Sequence, residues 1–208
     1  MSKKEKKYYA VKKGIKPGVY ETWEECKENI RGFSGAEYRS FKTKEEAQAF
    51  VDAGTINLEE VDLDELTSYA FVDGSFNIDT RVYGYGGFLM YKKEDDTDFT
   101  KVTLKGSGSD EDTAAMQNVA GEILGSQAAI EKAIELELKE LTIFYDYMGI
   151  EMWAKGLWQC NKKGTLRYQQ YCKSVKDKIT LNFVKVKGHT GIEGNEEADK
   201  LAKEAVGI

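Results

Sequence analysis

A carboxylate stands inside one apolar run of this chain, and another closes a second. Tyr69 to Phe76 reads YAFVDGSF with Asp73 at its heart, and Leu141 to Tyr145 reads LTIFY and is followed at once by Asp146. Short runs rich in aromatic and β-branched residues are strands. A charge buried in a strand is costly unless a partner meets it. The fold must therefore supply a common polar site for strand positions that lie far apart in sequence.

The pattern around them predicts a mixed α/β unit. Tyr69–Phe76, Val82–Tyr91 and Phe99–Lys105 read as an antiparallel meander, and Ile123, Ile130, Ile134 and Leu138 recur at helical intervals over Asn118–Leu138. Helices over about 147–157 and 166–176, a strand Thr180–Val186 and a last helix Glu196–Val206 complete it.

Two further acids fall on those helices. Glu122 follows the small residues Ala120 and Gly121, and Asp199 lies one turn into the last helix, behind the glycine-broken turn of KGHTGIEGNEEADKLAKEA and the lone histidine, His189. Each acid alone reads as a solvated charge or a helix cap, since the chain has 36 Asp and Glu. At the ends or inner faces of elements, the four together suggest one cluster. Such a cluster repels itself unless a cation is bound, and hard divalent ions such as Mg²⁺ prefer carboxylate oxygen. Four carboxylates balance two Mg²⁺ ions, which at ~3.5–4 Å apart can activate a water and stabilise the leaving oxygen of a phosphodiester.

The net charge of −6 looks wrong for a nucleic-acid binder, but it is unevenly spread over the 208 residues. Residues 1–54 hold 12 Lys and Arg against 9 Asp and Glu, residues 55–67 hold five acids and no base, and residues 68–208 hold 18 bases against 22 acids. The chain therefore divides into a domain over 1–54, an acidic linker over 55–67 and a larger domain over 68–208. The linker reads either as a coil on the order of 20 Å long or as a short acidic helix packed on one domain. In the first domain, strands at Lys7–Lys12, Gly18–Tyr20 and Glu37–Phe41 alternate with two helices in the order β-β-α-β-α. Each helix opens with a capping box, Thr22 with Glu25 and Thr43 with Glu46. Three cysteines without C-x-x-C spacing argue against a zinc site and fit a reducing compartment. The basic N-terminus lacks the apolar core of a secretory signal, so cytoplasmic location is expected.

Asp73-Gly74-Ser75, the helix start Asn118-Val119-Ala120-Gly121-Glu122, Asp146 after its apolar strand, and GHTGIEGNEEAD together resemble type 1 ribonuclease H over about residues 68–206. The stretch from YYAVKKGIKPGVYETWEECKENIRGF to AEYRSFKTKEEAQAF is similar to the hybrid-binding domain shared with caulimovirus viroplasmin proteins. The resemblance implies a ribonuclease H-like mixed five-stranded sheet flanked by helices. A small α+β domain with a three-stranded antiparallel sheet and two helices would precede it. It implies that Asp73, Glu122, Asp146 and Asp199 ligate two Mg²⁺ ions, with Mn²⁺ as a substitute. The RNA strand of an RNA–DNA hybrid would be cut to leave 5′-phosphate and 3′-hydroxyl ends, as in removal of hybrids and RNA primers during replication and repair.

By the same resemblance His189 helps to move protons or release product, and Gly74, Ser75, Gln117 and Asn118 touch the 2′-hydroxyl that only RNA offers. Asn195 supports the metal site or caps the last helix, and Trp153 and Trp158 line the DNA-strand groove or belong to the core. Tyr9, Trp23 and Tyr38 match positions where aromatic rings pack on deoxyribose, Arg39 matches a phosphate contact, and Ser40 replaces a frequent lysine. Duplex RNA is expected as a second ligand for the N-terminal domain, no membrane partner is expected, and the chain is expected to be a monomer. A hybrid-binding protein with an inactivated nuclease fold is disfavoured because all four acids are present. The hybrid-binding stretch and GHTGIEGNEEAD argue against a junction resolvase or a reverse-transcriptase fragment.

Overall fold

The computed structural model describes residues 6–53, 58, 61–93, 96–186 and 193–208. It divides into two compact units, Met1–Thr55 and Ile56–Ile208.

In the first unit β1 (Tyr8–Lys13) pairs antiparallel with β2 (Gly18–Tyr20) on one side and β3 (Glu37–Phe41) on the other. The helices α1 (Trp23–Ile30) and α2 (Lys44–Asp52) start where the capping boxes predict. Thr22 and Thr43 accept from the backbone N–H groups of Glu25 and Glu46, whose carboxylates reach back to the cap residues. Each box satisfies orphan donors at a helix start and contributes about 1 kcal/mol. Ala10, Val11, Cys26, Phe41, Ala47 and Phe50 are buried between sheet and helices, with the Phe41 and Phe50 rings 5.3 Å apart.

The second unit carries a sheet in the order β6-β5-β4-β7-β8, with β4 (Ser68–Asn77), β5 (Val82–Tyr91) and β6 (Thr100–Gly108) antiparallel. Strand β7 (Glu140–Tyr145) runs parallel to β4, and β8 (Thr180–Lys185) parallel to β7. One face buries Ala70, Val72, Leu89, Leu141, Ile143 and Tyr145 with residues of α4 (Asn118–Glu135), α5 (Gly149–Ala154) and α6 (Lys163–Ser174). The other face, Tyr69, Phe71, Phe88, Phe144 and Val184, is covered by Ala198 of α7 (Glu193–Val206). This is the five-stranded mixed sheet with helices, preceded by the three-stranded antiparallel sheet, that the sequence implied.

Several details refine the sequence reading. A one-turn helix, α3 (Glu111–Ala114), precedes α4; Asp110 caps it by accepting from the Thr113 N–H at 3.0 Å and also takes a hydrogen bond from the Tyr83 hydroxyl. Helix α7 begins at Glu193 rather than Glu196, because Gly194 sits within its first turn, where a Cβ would meet the Phe71 ring. In the acidic stretch, expected as either a coil or a short packed helix, the described residues favour packing: Leu58, Val61, Leu63 and Leu66 lie against the Tyr69–Phe71–Phe144 face, with a 3₁₀ turn at Leu63–Glu65 capped by Asp62. These apolar residues find a core while Asp62, Asp64 and Glu65 remain in solvent.

Candidate functional site

The β4–β7 register pairs Phe71 with Phe144, and two residues further along each chain stand Asp73 and Asp146. Glycines bring the other elements to them. Gly74 and Gly121 touch: a Cβ at Gly121 would strike the Gly84 carbonyl oxygen and the Gly74 Cα, and one at Gly74 would strike the backbone of Asn118 and Glu122. The first turn of α4 therefore rests directly on β4, and Glu122 arrives beside Asp73. On β5, Gly86 lies opposite Asp73, and a Cβ there would collide with the backbone of Ala198, Leu201 and Ala202, so α7 lies close over that point.

Carboxylate oxygens of Asp73, Glu122 and Asp146 lie within 4.8 Å of one another. Asp73 and Glu122 are buried, and Asp146 is half-buried. Burial first, and then the Asp146 charge, push the Asp73 carboxyl up to about 6, although the Gly74 N–H donates to its Oδ1 at 2.7 Å. Glu122 is pushed well above the usual carboxylate range by burial and then by the charges of Asp73 and Asp146. Its Oε2 is buried without a hydrogen-bond partner. An acceptor left unmet inside a set of three hard oxygen donors is what a divalent cation would satisfy, so these residues fit Mg²⁺ or Mn²⁺.

A carboxyl whose folded value is raised stabilises the fold at low pH, and that stability is lost as pH rises from about 4 through about 6. For Asp73 the penalty at neutral pH is on the order of 2–3 kcal/mol without metal. The metal-free protein should therefore unfold at lower urea at pH 7.5 than at pH 5. Asp73→Asn should remove much of that difference, and Mg²⁺ should restore stability at pH 7.5. Urea midpoints for both proteins at the two pH values check this, and a parent equally stable at both would contradict it.

Asp199 is not one of the three gathered carboxylates. Its Oδ2 takes the Lys203 ammonium at 2.7 Å, one turn along α7, yet its charge still contributes to the raised Asp73 carboxyl. Sequence reasoning passed over Lys203, although its spacing of four from Asp199 was the available signal. Asn195 is buried in the first turn of α7, two residues inside its start, so it is not the residue before the helix that caps it. His189 lies outside the described residues.

Gln117 precedes α4 at φ 52 and ψ −130, a backbone conformation that non-glycine residues rarely adopt, and makes no side-chain cap bond. Such positions cost on the order of 1–3 kcal/mol. Gln117→Gly should raise the unfolding free energy by about 1 kcal/mol after glycine's entropic cost; an unchanged or lower urea midpoint would contradict the strain. Ser75 is buried and Asn118 opens α4 beside Gly74. Trp153 belongs to the core and also lines an open cleft of about 220 Å³ with Met116, Val119, Tyr147, Asn161 and Thr165. Trp158 packs edge-on against it at 5.8 Å, half-buried.

In the first unit Trp23 bridges Tyr9 and Tyr38 at 5.8 and 5.9 Å, and Trp23 and Tyr38 remain 38% and 47% exposed. This is a ring surface rather than a core. Arg39 pairs with Ala10 in the register, so it alternates to the sheet face opposite Tyr38.

A mixed five-stranded sheet with carboxylates from β4, the end of β7 and α4 gathered at its centre defines an α/β fold of the ribonuclease H type with a candidate acidic metal centre. Residues 66–207 match the RNase H family and residues 7–51 the Ribonuclease H1 N-terminal domain, so the chain belongs to the ribonuclease H family. It is 24% identical to human Ribonuclease H1 over 261 residues, covering 95% of this chain and 88% of that protein. A Ribonuclease H of Crithidia fasciculata is 48% identical over 46 residues, but the match spans 22% of this chain and only 9% of that protein. The solved RNase H1 of the archaeon Halobacterium salinarum shares the fold with a TM-score of 0.53 at 19% identity, covering 67% of this chain and 96% of that one.

Proposed function

We propose that the chain is an endoribonuclease that hydrolyses the RNA strand of RNA–DNA hybrids at the Asp73–Glu122–Asp146 centre, leaving 5′-phosphate and 3′-hydroxyl ends. The observation that carries this reading is the three-carboxylate cluster, two of its members buried and one half-buried, with an unmet Glu122 oxygen, set in a ribonuclease H fold. Asp73, Glu122 and Asp146 would hold two Mg²⁺ ions, joined by Asp199 on exchanging its Lys203 partner. Bound there, Mg²⁺ supplies positive charge that makes a water nucleophilic near neutral pH and offsets the charge on the leaving oxygen.

The remaining work falls to the chain. The Gly74 backbone meets Asn118 at the start of α4, with Ser75 next along β4 and Gln117 just before the helix; together they would read the 2′-hydroxyl, with the strained Gln117 fixing that turn. His189 would move a proton or release product. The Tyr9–Trp23–Tyr38 surface would pack on deoxyribose of the DNA strand; Arg39, on the opposite sheet face, would meet a phosphate from there and not from the ring surface. Contacts to sugar and phosphate bind without reading sequence, which suits removal of hybrids and RNA primers of any sequence. Duplex RNA would be a weaker ligand of the same surface. No helix among the described residues is long and apolar enough to cross a membrane. Three unpaired cysteines support a reducing compartment such as the cytoplasm.

The test is cleavage of a labelled RNA–DNA hybrid with Mg²⁺ beside single-stranded RNA and duplex DNA. Cleavage confined to the RNA strand of the hybrid is expected, and an intact hybrid would overturn the reading. Removal of residues 1–54 should raise KM on long hybrids several-fold while kcat changes less, because a tethered binding unit acts through local concentration. Equal KM for the two proteins would count against the N-terminal unit's part.

A further inference from the structure

Among the described residues the most deeply buried charged side chain lies outside the carboxylate centre: Glu151 on α5, 2% exposed. Its Oε2 accepts the Tyr145 hydroxyl, and its Oε1 accepts the Lys155 ammonium at 2.5 Å, one helical turn on. A carboxylate taken out of water is seldom the most stable choice for a core position, and apolar residues of similar volume often do as well or better. Stability alone gives a weak reason for its presence.

What Glu151 holds is more telling. Tyr145 is the last residue of β7, fully buried, and it immediately precedes Asp146. It is fastened at three points: its ring packs in the core and lies edge-on to Phe183 at 6.2 Å, its hydroxyl donates to Glu151, and its carbonyl accepts the Val186 N–H at 2.8 Å. Asp146 and the short loop to α5 follow this anchor directly.

We propose that Tyr145, Glu151 and Lys155 are positioning residues for Asp146, holding the end of β7 at the height where its carboxylate completes the metal centre. This rests on the metal-binding reading above. Loosening the anchor lets Asp146 withdraw, so the affinity for Mg²⁺ falls while the same ligands remain present. Partners that orient ligands change metal affinity by roughly 10–100-fold when removed, and an anchor acting through the chain belongs at the lower end.

The experiment is Mg²⁺ titration of the full-length protein followed by thermal unfolding, with the Mg²⁺ dependence of hybrid cleavage measured in parallel. Tyr145→Phe and Glu151→Ala should move both midpoints to about tenfold higher Mg²⁺, and Glu151→Gln, which still accepts the tyrosine hydroxyl, should recover part of the shift. Lys155→Met, at a partly exposed position, removes one partner of the carboxylate and serves where Glu151→Ala does not fold; its midpoint should also rise. Variants that melt earlier but keep the parent's Mg²⁺ midpoint would show a merely structural anchor and overturn the proposal. A parent without any Mg²⁺-dependent stabilisation would overturn the metal reading itself, and this proposal with it.

Discussion

Asp73→Asn is expected to leave a folded protein that still binds hybrid but cleaves it at least about 10³-fold more slowly, a loss of roughly 4 kcal/mol in transition-state stabilisation. Asp73 sits between the other two carboxylates' elements, on the central strand, and its oxygen is one of the three within 4.8 Å. The amide keeps the shape and can still meet the Gly74 N–H through its oxygen, but it removes the charge that balances bound cations. Because the buried carboxylate is raised by burial, the same substitution should make the metal-free protein more stable at neutral pH. Lost activity with gained stability is the signature of a site strained for function. Single-turnover cleavage and hybrid binding, measured together, check it; a variant cutting within tenfold of the parent would remove Asp73 from the chemistry.

Gly121→Val should be among the most destabilising single changes, by about 3 kcal/mol or more. Overpacking usually costs 1–3 kcal/mol when side chains can shift, but here the obstacles are the Gly84 carbonyl and the Gly74 Cα, which are backbone. The first turn of α4 would have to lift from β4 and β5, carrying Glu122 away from Asp73. A urea midpoint far below the parent's, with loss of Mg²⁺-dependent stabilisation in whatever folds, is expected. A variant of near-parent stability would mean that the helix does not rest on the sheet at this point.

The strands and most helices were legible because their signals are local. The capping boxes at Thr22 and Thr43 mark helix starts, and apolar runs with β-branched residues mark β4, β5 and β7. The candidate acids were legible for a related reason: Asp73 and Asp146 interrupt or close apolar strands, where a charge needs an explanation. That the acids meet was expected from the sequence; the close packing that brings them together was not legible. It depends on Gly74 and Gly121 meeting across two elements, which no periodicity reports. Helix α3 escaped because it is a single turn, and the start of α7 because Gly194 reads as a break until the Phe71 ring is known to lie against it. The acidic stretch left coil and packed helix both open, because its many acids mask the spaced apolar residues that hold it down. Lys203 at Asp199 and Glu151 at Tyr145 look like ordinary surface charges on a helix until burial and partners are seen.

The most direct test of the metal centre is crystallographic. In crystals of the full-length protein equilibrated with Mn²⁺, the anomalous difference map should show density bridging the carboxylates of Asp73, Glu122 and Asp146, with metal–oxygen distances of about 2.1–2.2 Å. Absence of density there at saturating Mn²⁺, or occupied sites only elsewhere, would contradict the account.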